Sequence, residues 1–264
     1  MRQVRLSAVT QSLAIQCTAS PRRSRSRFRV GPLGGLNALT RPTPSAAAGR
    51  PTIRDAVPVT EPRAEHWDDV YSSKGTDEVS WFQSEPERSL RHITAVADVE
   101  RSVVDVGAGA SVLVDRLLDV GFHDLTVVDI SAQALATVRD RLGDRADVVT
   151  FTCSNVLAWQ PGRTFDVWHD RAVFHFLTRP DDRASYVALA TSAVDPGGHL
   201  VLSAFALDGP THCSGLEVAR HDASSLAEEF AAGFTLLHSD REEHRTPWQA
   251  IQPFTWVVLR RHSV

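Results

Sequence analysis

The chain has 264 residues, 42% of them apolar, enough for one sizeable α/β domain with a full core and an appendage. Its charge is unevenly distributed: the first 54 residues hold ten Arg and no acid, whereas the remainder carries 18 basic against 32 acidic residues, a formal net of −14. Phosphate backbones repel such a body, which excludes nucleic acid as a substrate unless the basic N-terminal segment does the binding.

Other classes fall away on similar grounds. No apolar run approaches the roughly 18 residues needed to cross a membrane. Cys17, Cys153 and Cys213 have no metal-ligand spacing and are odd in number, so they support neither a disulfide framework nor a zinc site and imply a reducing, cytoplasmic setting.

Residues 1–63 are rich in Arg, Ser, Pro and Ala without an apolar period, and read as a disordered leader. The same bias suits a nonessential extension of a high-GC coding sequence, or a transit peptide that would place the protein in an organellar matrix. The ordered domain is expected over 64–264, with lid helices at 64–98 and a core at 99–264. In EHWDDVYSSKGTDEVSWFQ, Trp67 and Tyr71 stand at i and i+4 on one helix face, and Trp81 and Phe82 follow a Gly-containing loop. These four aromatics form a lid over a ligand or pack the N-terminal helices onto the domain. Ser84 and Glu87 fit a capping box, with Pro86 early in the first turn of a helix running to about 98.

From Val103 strands and helices alternate. Strand 103–106 precedes a helix near 111–119, and strand 125–129 a helix near 132–142 capped by Ser131. A third strand lies near 148–153 and a fourth at 165–170, followed by a helix at 181–194. The PGG turn at 196–198 leads into strand HLVLSAF, then a helix near 224–231 and two last strands at 234–239 and 254–261. Such alternation argues for a mostly parallel sheet covered on both faces, closed by an antiparallel pair.

The chemistry concentrates at the first two strand ends. VVDVGAGAS ends a strand in Asp105 and breaks into a Gly107-Ala108-Gly109 turn; 22 residues after Gly107, strand LTVVD ends in Asp129. Glycines let backbone approach a ligand, and a carboxylate at the second strand end accepts hydrogen bonds from ribose hydroxyls, so the unit reads as a nucleoside-binding βαβ. The alternative is that Asp105 and Asp129 cap the helices that follow. After the fourth strand comes HDRAVFHFLT, with Asp170, Arg171, Phe174 and His175 at the sheet edge where ligands bind. His175, assisted by Asp170, is the candidate general base; alternatively it orders the loop. A second loop, GPTHCSGLEVARHD (209–222), offers Arg220 to hold a carboxylate and Cys213 to line a pocket, or simply covers the sheet.

Residues 103–261 resemble the class I S-adenosylmethionine-dependent methyltransferases, and the HWxxxY…SW and GPxxCSGL segments are similar to a bacterial small-methyltransferase subset. The resemblance implies a Rossmann-like seven-stranded sheet, order 3-2-1-4-5-7-6, with the last strand antiparallel. It also implies S-adenosylmethionine as cofactor. Asp105 would stand near the cofactor's amino-acid end over Gly107, Ala108 and Gly109, with Asp129 and Ile130 at the ribose, Asn155 and Val156 at the adenine, and Trp67, Tyr71 and Trp81 above. The implied activity is methyl transfer to a small-molecule acceptor by a monomer or homodimer. Competing readings are a protein side-chain methyltransferase, a non-catalytic cofactor-binding protein and an NAD-dependent oxidoreductase. The last is disfavoured because Val112 stands where a dinucleotide fingerprint needs its third Gly.

Overall fold

A computed structural model describes residues 62–263. The expected leader lies outside the described residues except for Pro62 and Arg63, which begin helix α1 (Pro62–Ser73). Runs of Val and Leu buried on both faces make the central strands, because a parallel strand sandwiched between helix layers has no solvent side to alternate with. In β1 (Val103–Val106) and β2 (Leu125–Asp129) every residue is buried. They are followed by β3 (Val149–Cys153), β4 (Phe165–Arg171), β5 (Val194–Phe205), β6 (Phe234–Arg245) and β7 (Ile251–Arg261). A two-stranded ribbon, His212–Cys213 with Leu216–Glu217, stands apart from the sheet.

The strand order is β3-β2-β1-β4-β5-β7-β6, and β7 runs antiparallel to both neighbours. This is the expected topology. Asp105 lies level with Val127 on β2 and His169 on β4, so β1 is where the strand order reverses, the point beyond which open α/β sheets bind their ligands.

Helices α2 (Glu87–Val96), α3 (Leu113–Asp119) and α4 (Ala132–Leu142) cover one face through Ile93, Leu113, Leu117, Leu135 and Val138. Helices α5 (Pro180–Ala193) and α6 (Ala223–Phe230) cover the other through Tyr186, Ala190, Leu226 and Phe230. Each Ile, Leu, Val or Phe among them contributes roughly 1.5–3 kcal/mol by leaving water, before the entropy of ordering is set against it. No helix among the described residues is long and apolar enough to cross a membrane.

Two local expectations are corrected. No side chain caps α2: Pro86 is its N-cap residue and Ser84 is exposed, so the Ser84/Glu87 capping box does not form. The final strands are longer than the apolar pattern suggests and make one hairpin, because β6 is an edge strand whose Ser239–Arg245 stretch carries charge in place of apolar alternation.

Candidate functional site

At the end of β1 the chain turns on two left-handed residues, Gly107 (φ +64°) and Gly109 (φ +54°). The Gly107 and Ala108 amides donate to the Val128 carbonyl at 2.7 and 3.2 Å, tying the turn to β2. A Cβ on Gly107 would lie 1.9 Å from Val173 Cγ2, and one on Gly109 would lie 2.3 Å from the Tyr71 hydroxyl, so both positions demand glycine for space as well as for φ.

Asp129 is buried at the end of β2. Its Oδ2 accepts the Gly109 amide at 2.8 Å and its Oδ1 the Ser131 amide at 2.7 Å. Each oxygen keeps one lone-pair direction free, the pattern that a pair of neighbouring hydroxyls completes. Burial, aided by the nearby Asp105 and Asp68 and opposed by the two amides, pushes its pKa up to about 6. Ser131 caps α4 as expected, its Oγ accepting the Ala134 amide at 3.1 Å. The same hydroxyl donates to Asp68 on α1 at 2.6 Å, and Asp68 also receives the Gln133 amide at 3.2 Å.

Asp105 faces α2 from β1. His169 Nδ1 lies 2.7 Å from Asp105 Oδ1, and His169 Nε2 lies 2.9 Å from Ser89 Oγ. The trio has the connectivity of a hydrolytic triad, but Ser89 is 1% exposed within α2, so the chain of bonds fastens that helix to the sheet. Asn155 Oδ1 accepts the Leu157 amide at 3.0 Å and caps a single 3-10 turn, Val156–Ala158, leaving one lone pair on that oxygen. Ile130 and Val156 are both half-buried.

Three of the four expected aromatics meet, and Phe176 rather than Phe82 completes the cluster. Trp67 lies with its ring centroid 5.6 Å from Trp81, 6.3 Å from Tyr71 and 5.4 Å from Phe176 in the β4 loop. The Tyr71 hydroxyl rests against Gly109, so the cluster roofs the glycine turn. Burial, with Asp129 nearby, raises its phenol well above the ordinary range. The strip after α1 is pinned at three points: His244 Nε2 to the Ser80 carbonyl (2.7 Å), Arg171 to the Trp81 carbonyl (3.0 Å) and Gln83 to Glu242 (2.9 Å).

The β4 loop corrects the catalytic expectation. Asp170 is fully buried and its oxygens take the amides of Val173 (2.8 Å) and Phe174 (3.1 Å) and the hydroxyl of Tyr186, which in turn accepts from Trp168 Nε1 at 2.9 Å. Burial raises its pKa to about 6, against those donors. Here it is Asp170 that caps a turn, the role the sequence offers Asp105 and Asp129. His175 is 0% exposed, edge-on to Phe176 (4.5 Å) and against Phe205 (4.7 Å), with neither ring nitrogen hydrogen-bonded. Burial, and then His221 and Arg171, push its pKa down to about 3. A neutral, enclosed imidazole has no route to an acceptor's proton, so the geometry does not place His175 or Asp170 as base and assistant.

Arg220 is exposed and reaches only the Gly209 carbonyl at 3.3 Å. Cys213 is buried in the ribbon, whose Ser214–Gly215 tip has both φ positive (50° and 78°). Burial pushes its thiol up to about 12, against a smaller lowering by Arg171. The residue left unassigned by the sequence is Arg171: Ala172 after it takes φ +76°, a strained left-handed turn that sets the last β4 side chain inward.

Residues 103–198, from β1 through the PGG turn, match the family described as "Methyltransferase domain". Over these residues the core matches a methyltransferase domain, and its fold is the one shared by class I S-adenosylmethionine-dependent enzymes. Solved methyltransferases share its fold. The N-methyltransferase NodS from Bradyrhizobium japonicum, crystallised with S-adenosylhomocysteine, aligns with TM-score 0.59 at 14% identity, over 74% of this chain and 98% of that one. The 1,6-didemethyltoxoflavin-N1-methyltransferase of Burkholderia thailandensis aligns with TM-score 0.57 at 22% identity, over 76% and 84%. A curated relative, the mouse eEF1A lysine and N-terminal methyltransferase, is 26% identical over 123 residues, 46% of this chain and only 18% of that protein. The glycine turn under the aromatic roof follows β1, Asp129 ends β2 and Asn155 follows β3, whereas Asp170 and His175 serve the β4 loop itself.

Proposed function

We propose that the domain transfers methyl groups to a small-molecule acceptor, with Asp129, the Gly107–Gly109 turn, Ile130, Asn155 and Val156 holding the adenosyl part of the cofactor. The observation that carries the cofactor assignment is Asp129: a carboxylate fixed by two amides, with one acceptor direction left on each oxygen, suits a ribose diol. Asn155 Oδ1, already capping a turn, has one lone pair for an exocyclic amine. Asp105 holds His169 with one oxygen, so in this reading it supports the glycine turn from below.

The bound cofactor supplies an activated, positively charged S-methyl group, and the work left to the protein is alignment and exclusion of water. Trp67, Tyr71, Trp81 and Phe176 roof the strand ends and supply the dry wall. With His175 neutral and enclosed, the acceptor arrives with its nucleophile already unprotonated.

A roof packed directly on the glycine turn favours a compact acceptor over a side chain presented on a protein surface. The small-molecule methyltransferases of like fold agree with this; the mouse relative motivates the other reading, a protein acceptor. Release of S-adenosylhomocysteine across a panel of small thiols, amines and carboxylates, set beside folded proteins and peptides, separates the two. Turnover confined to the protein arm would overturn the small-molecule reading.

A further inference from the structure

Arg171 is the last residue of β4, on the same face as Asp105 and His169, and its guanidinium sits 4.9 Å over the ring of Phe254 on β7. Nη1 donates to the Trp81 carbonyl. Nε and Nη2 are buried and have no hydrogen-bond partner among the described residues. These two nitrogens form one side of the guanidinium fork, the edge that meets both oxygens of a carboxylate in parallel.

Glu242, a carboxylate acting on Arg171, is already engaged: it accepts from Gln83 and from Trp256 Nε1 at 2.8 Å, and it makes no ion pair with Arg171. Burial pushes Arg171 down from its ordinary range, with Glu242, Cys213 and Asp105 opposing. Guanidinium does not deprotonate in proteins, so the shift expresses the cost of a cation kept away from water without a counter-ion. A second observation comes from the neighbouring strand. Ser203, level with Arg171 in the β4–β5 register, is fully buried, and its hydroxyl also lacks a partner. Buried polar atoms ordinarily have partners, and here a two-pronged donor and a hydroxyl are left open on neighbouring strands.

We propose that the acceptor of this methyltransferase is a small carboxylate, held by the Nε/Nη2 edge of Arg171 with help from the Ser203 hydroxyl. The proposal rests on the small-molecule reading and narrows it. Arg171 leans toward β5 and β7, away from Asp129 on β2, which sets the anion's place on the acceptor side of the crevice. A lysine ammonium would meet an unpaired cation there, so the same feature disfavours a protein-lysine acceptor.

Calorimetry tests this in two stages. S-adenosylhomocysteine is titrated first into the wild-type chain and into Arg171→Gln, Arg171→Lys and Ser203→Ala. Small mono- and dicarboxylates, their matched amides and small amines are then titrated into each saturated complex. Expected are a carboxylate that binds the wild type at least tenfold better than its amide, a loss of roughly 10- to 100-fold in Arg171→Gln, a lesser loss in Arg171→Lys and Ser203→Ala, and S-adenosylhomocysteine affinity unchanged within threefold throughout. Arg171→Lys keeps the cation and most of the stem, so it remains informative if the Gln variant does not fold.

Three results overturn the proposal. They are carboxylate binding indifferent to Arg171, no preference over amide, and a fall in S-adenosylhomocysteine affinity that tracks Arg171, which would assign the fork to the cofactor's own carboxylate. A wild-type chain that binds no S-adenosylhomocysteine refutes the cofactor reading at the first stage, and the proposal with it.

Discussion

Asp129→Ala is the sharpest perturbation of the site. In the wild type each carboxylate oxygen takes one amide, from Gly109 and from Ser131, and offers one direction to a ribose hydroxyl. Hydrogen bonds to a charged group contribute about 1.5–3 kcal/mol each and rarely add in full, so losing two is worth about 3 kcal/mol, or roughly 100-fold in Kd. The fold itself should survive. Alanine strands two amides at about 1–3 kcal/mol each, but it also removes a carboxylate whose pKa of about 6, against the ordinary 3.8, marks an ionised form disfavoured by about 3 kcal/mol. These costs oppose each other.

The pH dependence follows from the same shift. Folding raises the pKa of Asp129, so the folded chain holds this proton more tightly than the unfolded one. The group's contribution to stability is complete below pH 3.8 and declines as pH rises toward 6. Cofactor binding runs the other way, because ribose hydroxyls donate to the ionised form. Calorimetric titration of S-adenosylhomocysteine from pH 5 to 8 should show affinity rising through about pH 6 and then levelling, with both the rise and roughly 100-fold of affinity absent in Asp129→Ala. A variant that binds within threefold of the wild type, or that keeps the slope, refutes the placement of the ribose at Asp129.

Three further outcomes are expected. Gly109→Ala forces a left-handed alanine against the Tyr71 hydroxyl, so it should cost about 1–3 kcal/mol in thermal unfolding, shift tryptophan emission as the roof is displaced, and weaken S-adenosylhomocysteine binding. His175→Leu should leave the melting temperature equal or higher and kcat within about threefold, because it replaces a buried imidazole without partners by an apolar side chain of similar size; a tenfold loss of kcat at unchanged stability would restore the histidine as a base. Tyr186→Phe takes a donor from Asp170 and the acceptor from Trp168 Nε1, about 3 kcal/mol together, lowering the melting temperature by roughly 6–12 °C. That loss should be larger at pH 8 than at pH 5, where Asp170 is protonated more readily.

Much of the site was legible because its parts are local. An acid at the end of an apolar run followed by two glycines in three residues requires a strand, a turn and a close approach, and Ser131 before a helical period is a cap; none of these depends on distant chain. What failed depends on distant chain. His175 stands in a loop at the ligand edge and reads as available, yet Phe205 from β5 and its own neighbour Phe176 enclose it. Asp170 looks like a partner for that histidine until Tyr186, sixteen residues on, turns its hydroxyl toward it. Arg171 reads as one more charged loop residue, and only Phe254 and the Trp81 carbonyl, from opposite ends of the domain, reveal a guanidinium set inward. The β6 edge was underestimated because a strand with one solvated margin needs charge more than alternation.

Ser131 gives its amide to Asp129 and its hydroxyl to Asp68. One residue thus belongs to the floor of the crevice, to the first turn of α4 and, through Asp68, to the helix that begins the roof. Displacing that helix would therefore cost the Gln133 amide its side-chain acceptor and Ser131 its hydroxyl partner, so the first turn of α4 and the support of Asp129 share one set of hydrogen bonds with α1.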